Sequence, residues 1–407
     1  MTDQRTELTG AQLAAPLGAE FTDRPHHILE QLRRRCPVAR VTTPGGRTPW
    51  LLTDDEDVRA AFLDPRLSPG AAGAVARGKP FRALEASLLS YDPPEHTRIR
   101  RLAAPLFTVH RMRGYQPLIQ ARARELLTAL PADDIVDLMA GFATPFSFVV
   151  MADLLGIPEA DRATFHDRLQ VVSARGNHSA ETFLDTIRQI EDFCYARVRA
   201  RIARPGEDLW SDLVREWQSA GDVSEQELVT LTGAIVLAGV DSVVQMLGIC
   251  FAALLRHPEL VARLRADPAR VPAAVEEILR WDTPTLFSTR RIATADIALH
   301  DTVIPQGSEV LLSVAAANRD PHRHPDPDEL DIDRPNAQRH VAFGMGPHRC
   351  LGAALARLEL VVAVTELLHD WPSARLAIDD AELRWEHNFA HRRLAELPVR
   401  LTGRPST

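Results

Sequence analysis

Lysine is almost missing from this chain. Of its 47 lysine and arginine residues only Lys79 is a lysine, a bias that reads as genomic composition and carries no mechanism. A surplus of positive charge is missing too. The formal net charge of −8 excludes a chain built as a basic nucleic-acid binder. Cysteine is scarce: Cys36, Cys194, Cys250 and Cys350 lie far apart and form no CxxC pair. That spacing excludes a disulfide framework and fits a reducing cytoplasm. The opening residues MTDQRTELTGAQL have no basic segment followed by an apolar one, so no signal peptide or anchor is expected. Repeats, low-complexity tracts and linker-like stretches are also lacking, and one domain over 1–407 is expected.

What is present is mostly helical patterning. Residues 38–53 read as two short strands around a Pro-Gly-Gly turn. From about 92 to 280 helical patterns dominate, the strongest over 110–130, 142–156, 180–203 and 225–256. Residues 290–313 turn short and β-like, a Pro- and Asp-rich coil follows, and the tail again reads as strands. The fold class expected is mainly α with small β-sheets near both ends of the chain. The stretch 228–255 is long enough to cross a bilayer. Asp241 and Gln245 near its middle make that costly, and Ser224 with Glu227 forms a capping-box pattern ahead of it. A helix buried in a large soluble protein is expected instead.

Residues 343–352 read FGMGPHRCLG. Residue types alone leave several readings open. Cys350 fits a small buried residue. Gly344 and Gly346 suggest a dinucleotide loop, but Arg349 stands where that pattern needs glycine. His340 and His348 offer zinc ligands with too few cysteines nearby. A nucleophilic cysteine would need a base, and His348 is too close in sequence to be one. The remaining reading is a thiolate that ligates a metal. It asks for a tight loop, from Gly344 and Gly346. It asks for backbone N–H donors from a helix beginning at Cys350. It also asks for close approach at Gly352 and a cation such as His348 for acidic cofactor groups. That is a thiolate-to-haem arrangement.

This loop resembles the haem-binding loop of the cytochrome P450 family, Phe-Gly-x-Gly-x-His-x-Cys-x-Gly, with Phe343 first and Gly352 last. Four further stretches resemble the family in order. DPPEHTRIRR at 92–101 resembles its propionate-binding helix and implies that His96 and Arg100, one turn apart, bond a haem propionate. LAGVDSVV at 237–244 resembles its oxygen-activating stretch. There the resemblance implies that Gly239 opens a groove for dioxygen and that Asp241 and Ser242 are the acid–alcohol pair delivering protons. Ser242 stands where the family has threonine, so the methyl that limits the rotamer is gone. EEILR carries Glu277 and Arg280, which with Arg334 resemble the family's structural ion-pair triad. RRIA at 290–293 implies that Arg291 meets a propionate, with Arg290 as neighbour.

The resemblance implies the P450 fold, with haem b between the long central helix and the Cys350 helix. It implies a soluble bacterial-type monooxygenase that takes electrons from a ferredoxin and its reductase. Arg98, Arg101, Arg111 and Arg349 would then form a basic docking patch. By analogy a small-molecule substrate would meet Leu88 and Leu89, then Ala234, Leu237 and Ala238 on the central helix. Thr285, Leu286 and Phe287 would add one wall, and Asn388, Phe389 and Ala390 another. Asn388, with His387 and His391 nearby, suggests a hydrogen-bonding natural product. Hydroxylation or epoxidation of a specialised metabolite is the first expectation. Oxidative C–C or C–N coupling of an aromatic substrate is the second, and a non-catalytic haem-thiolate sensor the third.

Overall fold

Short apolar strands and long apolar helices segregate in space as their patterns require. The computed structural model describes residues 15–71, 88–173, 178–386 and 388–402; Lys79 and His387 lie outside them. Val38–Thr42 and Trp50–Leu52 pair antiparallel, as the turn between them predicts. They join a six-stranded sheet in the order Ala15–Pro16, Val38–Thr42, Trp50–Leu52, Glu309–Leu312, Arg291–Ala293, Leu67–Ser68. Trp50 and Arg291 flank Val310 on either side, so the strand bearing Arg291 is tied to distant parts of the chain. The tail is less regular than expected. Only Pro398–Arg400 forms a strand there, with isolated bridges before it.

Ala180–Ala203 is one helix, with Ser179 capping it. The pattern over 110–130 instead splits into Val109–Arg113 and Gln116–Ala129, because Gly114 ends the first piece and Pro117 starts the second. The central pattern also splits, into Glu225–Gly239 and Asp241–Arg256. Its capping box is complete: Ser224 bonds the Glu227 backbone and Glu227 bonds back. Within this run, 67% of the most apolar stretch is buried inside the protein, so it is a core helix. It packs on Ala353–Asp370 and Val271–Trp281 within the largest apolar cluster.

Two buried polar networks tie this core to its surroundings. Glu277 accepts from Arg280 Nη2 at 2.7 Å and Nε at 2.8 Å, and from Arg334 Nε at 2.9 Å. The second centres on Asp282, which caps the C-terminus of the same helix. His26 Nε2 is 3.0 Å from Asp282 Oδ1, and Arg392 Nε donates to Asp282 Oδ2 at 2.8 Å. Burial alone would raise the Asp282 pKa, but Arg392, His26 and Arg319 hold it well below the usual carboxylate range. Burial, aided by Arg319, pushes His26 from 6.5 down to about 4 against the pull of Asp282. Between those two values the unfolded chain holds the extra proton and the folded chain does not. Stability is therefore expected to fall as pH drops from 6.5 to about 4. Thermal midpoints measured across that range should show a shallower slope in His26→Gln.

Candidate active site

The cysteine loop is shaped by its glycines. Gly344 and Gly346 have φ of +66° and +67°, a region that other residues occupy at a cost. A Cβ on Gly346 would sit 2.9 Å from Leu63 Cδ2 and 3.2 Å from the Phe62 carbonyl oxygen. The loop thus lies directly on helix Asp55–Leu63. Cys350 N–H donates to the Phe343 carbonyl at 2.8 Å and closes the turn. The Arg357 guanidinium, 2.5 Å from Glu276, stands 4.4 Å from the Phe343 ring centre.

Two details differ from expectation. The helix begins at Ala353, three residues later, with Gly352 as its N-cap. The Gly352 N–H is the backbone donor to the Cys350 sulfur. In addition, no protein atom lies within 4 Å of a Cβ position on Gly352, so no protein neighbour requires a glycine there. Burial raises the Cys350 thiol pKa, opposed by the Gly352 amide and the charges of Arg100, Arg357 and Arg349. The residue nevertheless keeps an exposed face. A cation bound on that face would favour the thiolate.

Beside the cysteine the structure assembles His96, Arg100, Arg291 and His348 from three separate segments. The rings of His96 and His348 are 4.2 Å apart. His96 and Arg291 are 1% and 3% exposed. Both ring nitrogens of His96, Nε2 of His348 and Nε of Arg291 are buried without a hydrogen-bond partner among the described residues. Burial lowers His96 to about 4, with Arg100 adding to it, and lowers His348 to about 4, with His96, Arg291 and Arg100 adding. It also lowers Arg291 to about 10. Asp92 is the one acid acting on all three of these groups, and its Oδ2 already accepts from Ser68. Arg100 Nη2 donates to the Arg349 carbonyl at 2.6 Å. Buried polar groups left without a hydrogen-bond partner are costly. An acidic ligand completes them, so the two carboxylates and flat ring of haem b fit the residues present.

The central helix is open over 233–242. Ala238 and Ser242 are exposed there, and Gly233, Ala234, Leu237, Gly239 and Asp241 are half-buried. The spacing of four puts Ala234, Ala238 and Ser242 on one face. Ser242 Oγ donates to the Ala238 carbonyl at 3.0 Å, and Ser147 Oγ to the Val240 carbonyl at 3.2 Å where the helix breaks. A Cβ on Gly239 would meet Met151 Cε at 2.2 Å, so this glycine admits the methionine of helix Thr144–Leu154. The Asp241 carboxylate bonds Arg393 Nη1 at 2.5 Å. Arg393 had no signal in the sequence, since nothing local relates residues 152 positions apart.

The remaining expected residues divide. Leu88, Leu237, Thr285, Asn388, Phe389 and Ala390 are half-buried, and Leu89 is 49% exposed. Leu286 and Phe287, at 2% and 3% exposure, do not line an open wall. Phe287 stacks on Phe21 at 5.7 Å and on Phe389 at 4.9 Å, and so belongs to a core formed with the N-terminal helix. Asn388 Oδ1 accepts from Ala390 and His391 N–H and is spent on its own turn. The basic patch is also reduced. Arg98, Arg101 and Arg111 pair with Glu227, Asp222 and Asp212, which leaves Arg349 without an acid partner among the described residues.

Known proteins are similar to this chain. The family model described as Cytochrome P450 matches residues 165–372. Cytochrome P450 107B1 of Saccharopolyspora erythraea is 35% identical over 93% of this chain and 96% of its own length. The mycinamicin IV hydroxylase/epoxidase of Micromonospora griseorubida is 38% identical over 91% and 94%. The solved structure of CxnD, a P450 for C–S bond formation in chuangxinmycin biosynthesis, superposes with a TM-score of 0.87 at 32% identity, covering 96% of this chain and 98% of that one. With its helical fold, its exposed cysteine and its basic recess, the chain belongs to the cytochrome P450 family, a soluble bacterial monooxygenase of specialised metabolism that uses haem b.

Proposed function

We propose that this chain hydroxylates or epoxidises a specialised metabolite in the cytoplasm, with electrons from a ferredoxin and its reductase. The observation that carries the reading is the open face of Ala234, Ala238 and Ser242 on the central helix, together with Cys350 and its neighbouring unpartnered polar groups. Cys350 would hold the iron, and His96, Arg100, Arg291 and His348 would hold the haem carboxylates. Bound haem supplies the reductive activation of dioxygen and the oxygen transfer. The chain's own part is to orient substrate, exclude water and deliver protons. Small side chains at 234 and 238 leave room for a bulky substrate beside Ser242. A polyketide-like substrate is supported by similarity to relatives named for mycinamicin IV hydroxylation or epoxidation and for polyketide biosynthesis.

Oxidative coupling is the second reading. Similarity to CxnD, a P450 for C–S bond formation, and Ser242 in place of threonine support it, because coupling inserts no oxygen. Two measurements separate the readings. Titration with macrolactones, aromatic cyclic dipeptides, steroids and fatty acids should produce a low- to high-spin change in the haem spectrum with the macrolactones. Turnover of that ligand under isotopically labelled dioxygen should then place label in the product. A coupled product free of label would overturn the hydroxylase reading.

A further inference from the structure

The segment around Asn388 is fastened to the central helix at two successive turns. Arg393 Nη1 donates to Asp241 Oδ2 at 2.5 Å, and Leu394 N–H donates to Gln245 Oε1 at 2.9 Å. Asp241 and Gln245 are four apart and share a helix face. Arg393 also holds a second acid on its other edge: Nε donates to Glu386 Oε2 at 2.7 Å. The Arg393 side chain is 10% exposed, against 31% for Asp241 and 48% for Glu386. Burial opposes its charge, but Asp241 and Glu386 outweigh burial and raise its pKa. A guanidinium this enclosed must keep a carboxylate beside it. It has two, and either one suffices.

We propose that Arg393 is a positioning residue that gates the proton-delivering acid: it clamps Asp241 at rest and falls back on Glu386 when Asp241 is released to carry a proton. This rests on the monooxygenase reading above. While clamped, Asp241 cannot take a proton without leaving Arg393 facing a neutral acid. Once it is released, one Asp241 oxygen accepts a proton from water. It passes that proton to Ser242 Oγ as the hydroxyl gives up its own to the dioxygen being reduced with ferredoxin electrons, and both groups return to their starting state. Ser242 must first leave the Ala238 carbonyl it bonds at 3.0 Å. Among the described residues His391 also faces Asp241; burial lowers its pKa, with Asp241 raising and Arg393 lowering it. Helix Thr144–Leu154 brings the uncharged Ser147 and Met151 to this break. The turn at Asn388–Ala390 lies between Glu386 and Arg393, which are joined by Glu386 N–H to the Arg393 carbonyl at 2.8 Å. Substrate pressing on that turn would therefore move both ends of the clamp.

The test uses the haem-loaded protein with reduced ferredoxin and no organic substrate. In Arg393→Gln, electron consumption is expected to rise about tenfold, below the roughly 10²–10⁴-fold that a general acid contributes in full, and its pH profile to shift. Arg393→Lys should restore most of the restraint. In thermal unfolding, Arg393→Gln and Asp241→Asn should be non-additive, as contacting residues are. A leak and pH profile equal to those of the natural protein would overturn the gate. Should Arg393→Gln fail to load haem, the exposed Glu386→Gln decides: without its alternate partner Arg393 stays on Asp241, and electron consumption should fall several-fold. An unchanged rate would likewise overturn the proposal. None of these readouts needs an organic product, so a missing hydroxylated product would count against the proposed reaction and not against the gate.

Discussion

Glu277→Gln is expected to destabilise the protein by about 3–5 kcal/mol, the cost of leaving a buried charge without its partner. Glu277 and Arg280 side chains are both 0% exposed, and Arg334 is 7% exposed. One carboxylate therefore neutralises two guanidinium groups with no water to replace it. Arg280 also donates to the carbonyls of Asn318 and Pro327 through Nη1 and of Glu329 through Nη2. Arg334 donates to the carbonyls of Asp326 and Glu329. These bonds pin the coil that leads into the cysteine loop, so the loss is expected to loosen haem as well as lower stability. Arg34→Gln is the control. Arg34 is 76% exposed and pairs with Glu30 one helical turn away; such pairs contribute at most about 1 kcal/mol. Denaturant unfolding followed by both circular dichroism and haem absorbance measures the difference. A change for Glu277→Gln no larger than the control's would mean that water reaches the network.

Local chemistry was legible in the sequence wherever the partners are close along the chain. The capping box at Ser224 and Glu227, the hairpin around Gly45 and Gly46, and the spacing of Glu277 and Arg280 are of this kind. The family resemblance extended this to residues that meet only in space, such as His96 and Arg291. What stayed hidden were contacts set by packing between remote segments. The break at Val240 is one: the apolar pattern runs through it, and only Ser147 and Met151 from another helix explain it. The aromatic stack of Phe21, Phe287 and Phe389 is another. Phe287 and Phe389 fit a pocket wall by their type, and the core they join is built on Phe21 of an N-terminal helix, far away in the chain. The arginines at 98, 101 and 111 show the same limit for charge. Their sign was plain, while the acids that neutralise them come from the turn and helices over 209–239.

Arg291→Leu is expected to act with opposite signs on the two forms of the protein. Without haem, Arg291 is a buried cation whose donors are poorly used. Nη1 reaches the Leu67 carbonyl at 3.0 Å, Nε has no partner among the described residues, and the guanidinium stands 5.4 Å from the Phe62 ring centre. Burial drives its pKa down to about 10, so the fold without haem bears a cost for keeping it charged. Leucine removes that cost, and the thermal midpoint of haem-free chain should rise. With haem, the same side chain would meet a carboxylate, and a hydrogen bond to a charged group contributes about 1.5–3 kcal/mol. Its loss should weaken haem binding by about 10- to 150-fold, read as faster transfer of haem to an acceptor protein. His96→Phe should weaken binding less, because His96 is neutral near pH 7, its pKa lying at about 4. A purely structural arginine predicts the reverse pattern, with the haem-free chain less stable and haem retention unchanged. The sign of the haem-free shift therefore decides whether this cation was placed for the protein or for an acidic ligand that the protein does not itself supply.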